Sequence, residues 1–175
     1  MTNVMFGRFF NRTPAPPDLS AWWRDADLVA SSPSAGIAES LRAGVVSMEQ
    51  WPDQAEAQVE MLDALEALVA LAAAPQLPTL ATQHRVIGTD ACHFIAPATL
   101  GDAVDGGGKV FLTTARIVFA SGNARGWAWH QVAKITRQHR DLHLQVRGAE
   151  GPLVLRLNSY EHAVCAAWIA ARLRA

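Results

Sequence analysis

Cysteine is scarce in this chain: Cys92 and Cys165 are the only two among 175 residues. One falls in a predicted strand and one in a predicted helix, nothing in their spacing suggests a disulfide framework, and two buried, reduced thiols are the expectation. Long apolar runs are lacking as well. The most apolar stretch, MLDALEALVALAAA from Met61, carries Asp63 and Glu66 and falls short of the roughly 20 residues that a membrane span needs. The opening MTNVMFGRFFNR offers a brief apolar patch broken by Arg8, too short for a signal-peptide core, so a cytoplasmic setting is expected.

Catalytic and metal-binding patterns are missing too. Serines and histidines occur without the elbow or the paired partners that acyl transfer requires. In ACHF, Cys92 and His93 are strand neighbours and point to opposite faces, so they cannot form a thiolate and base pair. His139 and His143 are four apart in a predicted hairpin, about 13 Å along an extended strand, and share no ion unless Asp141 turns the chain between them. The expectation is a chain that is no enzyme and holds no metal and no cofactor.

What is present suits a folded chain. Half of the residues are hydrophobic and 18% are charged, and the formal net charge of -1 conceals a division. Residues 1–82 hold four arginines against ten acids, whereas residues 83–175 hold eleven basic residues against six acids and all six histidines. An acidic helical part docking on a basic sheet part is the simplest reading of that asymmetry.

In the first part, Ser20 is placed to cap a helix AWWRDADLVA, with Trp22, Ala26 and Val29 on one face. SPSAGIAESLRAGVVSMEQ is a weaker helix, interrupted by Gly36 and Gly44. Pro52 then opens a strong amphipathic helix in which Met61, Leu65, Leu68 and Ala72 share a stripe. Pro75 and Pro78 end it. From His84 the period changes to short Val, Ile, Leu, Phe and Trp runs divided by turn residues, and Leu142, Leu144 and Val146 alternate with polar neighbours as Leu153, Leu155 and Leu157 do. Each strand is therefore expected to have one core face and one solvated face. The chain closes on an apolar helix, YEHAVCAAWIAARLRA.

The order of these elements, and the pattern Gly108, Val110, Leu112, Thr113, Arg116, Ile117, Val118, Phe119, resemble the pleckstrin-homology-like superfamily, nearest its GRAM branch and bacterial relatives. The resemblance covers about residues 83–175. It implies an α+β fold in which N-terminal helices precede a bent, seven-stranded antiparallel barrel capped by the last helix. It also implies a module that binds lipids or peptides in a bacterial cytoplasm. The division expected is a flexible tail (1–19), a helical region (20–74), a linker (75–82) and the PH-like domain (83–175). The 106–122 hairpin is expected to be scaffold, with Thr113 and Thr114 bonding local backbone and the Arg116 stem lying over apolar surface.

Phosphoinositide-gripping members surround the first hairpin loop with basic residues, whereas this loop offers Asp102, Asp105 and only Lys109, which disfavours a phosphorylated head group. Trp127 and Trp129 are two apart and are expected on one strand face as core, with no RNA-binding signature beside them and no nucleic-acid partner expected. Lys134, Arg137, Arg140 and Arg147 form a basic run through two strands, read most simply as a solvated face or a dock for the acidic helices, and these four are also the candidate contacts for a partner or an anionic surface. The reading preferred is protein contact or self-association. Its rival is a peripheral membrane module in which MFGRFF inserts and the basic strands meet anionic lipid.

Overall fold

A computed structural model describes residues 15–82, 84–101 and 107–175. The MFGRFF segment and the acidic loop residues Asp102 and Asp105 lie outside the described residues. The architecture is α+β. Helices α1 (Ser20–Ser31), α2 (Glu39–Ala43) and α3 (Pro52–Ala73) precede seven strands and a terminal helix, α4 (Tyr160–Arg174).

Helix α1 begins at Ser20 itself, so Ser20 is not the cap. The Asp18 carboxylate accepts the Ser20 N–H at 2.9 Å instead, and that bond holds the Asp18 carboxyl below its ordinary pKa. Trp22 and Ala26 are buried, and the Trp22 indole N–H donates to the Leu41 carbonyl at 2.8 Å, pinning α1 to α2. The weak helix expected around residues 32–50 shrinks to the five residues of α2 and a 3₁₀ turn at Pro33–Ala35. Gly36 at φ 72° breaks it. The buried amide of Gln58 then ties down the following loop, accepting from Val46 N–H and donating to Gly44 C=O. Helix α3 starts at Pro52 as read, and Met61, Leu65 and Leu68 are fully buried.

The strands are β1 (Cys92–Leu100), β2 (Gly107–Thr113), β3 (Arg116–Ser121), β4 (Asn123–Ala128), β5 (Val132–Gln138), β6 (Asp141–Val146) and β7 (Leu153–Leu157). They form one antiparallel sheet in the order β4-β3-β2-β1-β7-β6-β5. The implied barrel does not close by a strand ladder among the described residues. A 3₁₀ turn at Trp129–Gln131 links β4 to β5, which are the two free edges. Trp129 thus sits beyond β4 and does not share a strand with Trp127. It is buried, and its indole N–H donates to Thr113 C=O at 2.9 Å.

Helix α4, capped by Ser159 Oγ on the His162 N–H, is the middle layer: it touches five strands on one side and α3 on the other. Burial therefore runs further round it than one stripe, taking in Cys165, Ala166 and Ile169 as well as Ala163, Val164 and Ala170. Its alanines let both neighbours approach closely. One apolar cluster joins Trp22, Met61 and Leu65 of the helices to Leu112, Phe119, Leu144 and Leu155 of the sheet. Docking of the acidic part on the basic part is thus mainly apolar, supplemented by ion pairs from Asp27 to Arg137 and from Glu60 to Arg140.

Segment 84–90 is a turn rather than the start of a strand. It folds over the outer face of the sheet, where Ile87, Cys92, Phe111 and Val118 make a second buried cluster. Val110 through Thr113 are consequently all buried. The expectation of one solvated face per strand fails for β2 and β3, and it holds for β6, where Leu142 and Leu144 are buried and Gln145 is exposed.

Candidate functional site

Every matched position of the 108–119 pattern has a structural task. A Cβ on Gly108 would come within 2.4 Å of the Ala120 carbonyl oxygen, so the β2–β3 approach excludes any side chain there. Thr113 is fully buried and brackets the turn, its hydroxyl donating to Arg116 C=O at 2.9 Å and accepting from Arg116 N–H at 3.1 Å. The Arg116 head pairs with Asp90 at 3.1 Å and helps hold segment 84–90 in place. Ile117, Val118 and Phe119 are buried on alternate faces, in the main and the outer clusters. The hairpin is scaffold.

Both cysteines are buried. Burial pushes Cys92 up from its ordinary value, and burial with the nearby Glu161 pushes Cys165 up to about 11. His93, on the opposite face from Cys92, is tied up by donating through Nδ1 to Pro78 C=O at 2.8 Å. His139 sits at the β5–β6 turn with φ 52°, its ring 5.8 Å from Trp23, while His143 faces Thr136 from β6. No group of three or more metal-ligating side chains occurs among the described residues.

The four candidate cations separate into two pairs. Register places Lys134 opposite Gln145 and Arg137 opposite Leu142, and a three-residue step along a strand reverses the face. Arg137 turns to the helical side, where it meets Asp27 and donates to His139 C=O at 2.7 Å, leaving its side chain 9% exposed. Arg140 meets Glu60, and its guanidinium lies 4.9 Å from the centre of the Tyr160 ring. Glu60 also accepts the Tyr160 N–H at 2.9 Å, a favourable position for a carboxylate at the start of α4. Tyr160, stacked on Trp23 at 5.4 Å, has its hydroxyl pKa raised, chiefly by burial.

Lys134 and Arg147 stay on the outer face. They line an open cavity of about 690 Å³ with Thr136, His143 and Gln145, in which Glu150 is the one carboxylate among the lining residues. Neither cation has an ion-pair partner among the described residues. Sequence reading missed Asp27, Glu60, Trp23 and Tyr160 as the partners of the other two. The odd spacing from Lys134 to Arg137 was the available signal that the run would split.

Among the described residues strand β5 pairs only with β6. Every second residue of such an edge points its backbone groups away from the ladder. At the register shift between Val132 and Lys134, Ala133 has no ladder partner, and its C=O accepts from Arg174 of α4 at 2.6 Å. Beside the edge runs a groove of about 430 Å³ whose floor is apolar, from Ile135, Val164, Ala167, Trp168 and Ala171, and whose rim is polar, with Thr136 and Arg137 of β5 and Asp27 and Ser31 of α1. The other edge, β4, presents exposed Asn123, Ala124, Arg125 and Gly126. No helix among the described residues is long and apolar enough to cross a membrane.

Strand order, the helical cap and the open corner between β4 and β5 define a pleckstrin-homology-like fold preceded by helices. Among solved structures the chain is similar to the Vps36 N-terminal PH domain, with 18% identity and a TM-score of 0.43 over 49% of this chain and 80% of that one. It is also similar to the DH/PH domain of human ARHGEF11 in a ternary complex with human RhoA and its inhibitor, with 12% identity and a TM-score of 0.44 over 89% of this chain. The DH/PH domains of p115-RhoGEF align with 10% identity and a TM-score of 0.42, again over 89%. The chain spans about half the length of both DH/PH chains, 54% and 55%. No protein-family model and no curated protein matches it. The fold assignment rests on the topology.

Proposed function

We propose that this chain is a non-catalytic binding module that takes an extended segment of a protein partner along the free edge of β5. The observation that carries this reading is the coincidence of an unpaired edge strand with an apolar-floored groove on its flank. Main-chain hydrogen bonds to such an edge supply affinity, and adjacent pockets for alternate side chains supply selectivity. The pattern from Gly108 to Phe119 supports a GRAM-like affiliation. The membrane alternative loses support because Arg137 and Arg140, half of the candidate basic face, are already engaged by Asp27 and Glu60.

Selection of random dodecapeptides against the full chain, with amide exchange as the map, tests the proposal. Selected peptides should slow exchange at Ala133, Ile135 and Arg137, and Ala167→Trp, which fills the groove, should weaken them at least about tenfold. Protection confined to another strand would overturn it, as would charge-dependent flotation of the intact chain on anionic vesicles at physiological salt.

A further inference from the structure

The outer face of β5 specifies what the added segment must carry. Successive side chains of an extended segment alternate between faces, and a strand added to β5 lies about 4.8 Å from it. Side chains on one face then fall beside Ile135 and the groove of Ala167 and Trp168, while those on the other fall beside Lys134 and Thr136. Between residues 132 and 175 the other arginines are occupied. Arg137, Arg140 and Arg156 have carboxylate partners, Arg172 lies 4.0 Å from the centre of the Trp168 ring, and Arg174 holds the Ala133 carbonyl. Lys134 and Arg147 stand apart in sharing one cavity without an ion pair among the described residues.

We infer that the segment recognised at β5 alternates apolar with acidic residues, its carboxylates facing Lys134 across the new ladder, with Arg147, just past β6, adding positive charge to the same outer face and Glu150 the one carboxylate beside them. This rests on the edge-binding reading. Charge complementarity selects the occupant: the first fourteen residues of the chain itself contain Arg8 and Arg12 and no acid, so they would be repelled from this face. The outward acids of α3, Asp53, Glu56, Asp63 and Glu66, sit on a helix and cannot extend the sheet.

The test uses three capped ten-residue peptides, alternating Val with Glu, Val with Gln and Val with Lys, and fluorescence anisotropy with the full chain at about 50 mM and about 300 mM salt. The Val-Glu peptide should bind about tenfold or more tightly than Val-Gln at low salt, and the preference should shrink at high salt. Lys134→Glu together with Arg147→Glu should reverse the order, so that Val-Lys binds best. Both positions are exposed, and an unchanged melting temperature would verify that the variant folds. Equal affinity for Val-Glu and Val-Gln, or no effect of the double reversal, would overturn the inference and leave edge binding standing. Failure of all three peptides to bind would remove both readings, and concentration-dependent self-association abolished by the double reversal would assign the cations to a second copy of the chain.

Discussion

The β1–β3 half of the sheet and the β5–β6 half are made of the same antiparallel ladder and meet different surroundings. In the first half, β1 still alternates, with Pro97 exposed, but β2 and its neighbour β3 are covered on both faces, by the main core on the inside and by segment 84–90 on the outside, so Val110, Phe111 and Leu112 are all fully buried in succession. In the second, Leu142 and Leu144 are buried while Lys134 and Gln145 of the same hairpin face water, and β5 ends the sheet. A strand covered on both sides has no surface left to offer a partner. A strand covered on one side and open at its edge has both a face and a row of backbone groups to offer. The residues that carry the recognisable pattern are therefore the ones least able to bind anything, and the surface most able to bind lies where the pattern has ended.

Emptying the covered half should produce the largest effect. Phe111→Ala leaves a cavity in the outer cluster and should cost about 3–5 kcal/mol, whereas Thr136→Ala on the exposed face of β5 should stay within about 0.5 kcal/mol. Paired urea melts of the two variants check this. Similar losses at both sites would break the distinction between the halves.

Alkali sharpens the same contrast through the buried thiols. Both folded-state thiol pKa values are raised, Cys165 from 9.0 to about 11. Below pH 9 folded and unfolded chains hold these protons alike. Above it the unfolded chain releases them first, so stability falls as pH rises from 9.0 toward about 11. For Cys165 alone the loss is on the order of 1–2 kcal/mol after allowance for partial solvent access. Urea midpoints near pH 8 and near pH 10.5 in the parent chain and in Cys165→Ala should show the variant with the shallower dependence.

A smaller effect than emptying the outer cluster is expected where the helical part meets β5. Asp27→Asn removes the carboxylate paired with Arg137, which is 9% exposed while Asp27 is 58% exposed; with the Asn amide oxygen and the His139 carbonyl still able to accept from the guanidinium, it should cost about 1–2 kcal/mol. A loss of several kcal/mol in thermal melts would mean that ion pairing, and not the apolar cluster around Trp22 and Leu65, holds the helices to the sheet.

Much of the architecture was legible from local pattern. Pro52 with the four-three-four spacing of Met61, Leu65, Leu68 and Ala72 announced α3, alternation announced β6 and β7, and the glycine-led hairpin announced a PH-like order of elements. The four cations were found by residue type alone, but their assignment to one basic run was not correct in space.

Periodicity reports which side of an element is buried only when a single side is. It therefore determined α3 and the β6–β7 pair, and it had no means of indicating that β2 and β3 would be covered twice or that α4 would be a middle layer. Those facts depend on where segment 84–90 and α3 come to rest. The same holds for the pairing of Asp27 with Arg137, 110 residues apart, and of Glu60 with Arg140, 80 apart. Nothing in either neighbourhood encodes its partner. Tertiary structure alone decided that two of the four cations are spent within the molecule and two are left for something else, because only the folded chain brings an acidic helix within reach of one face of β5 and leaves the other face in water.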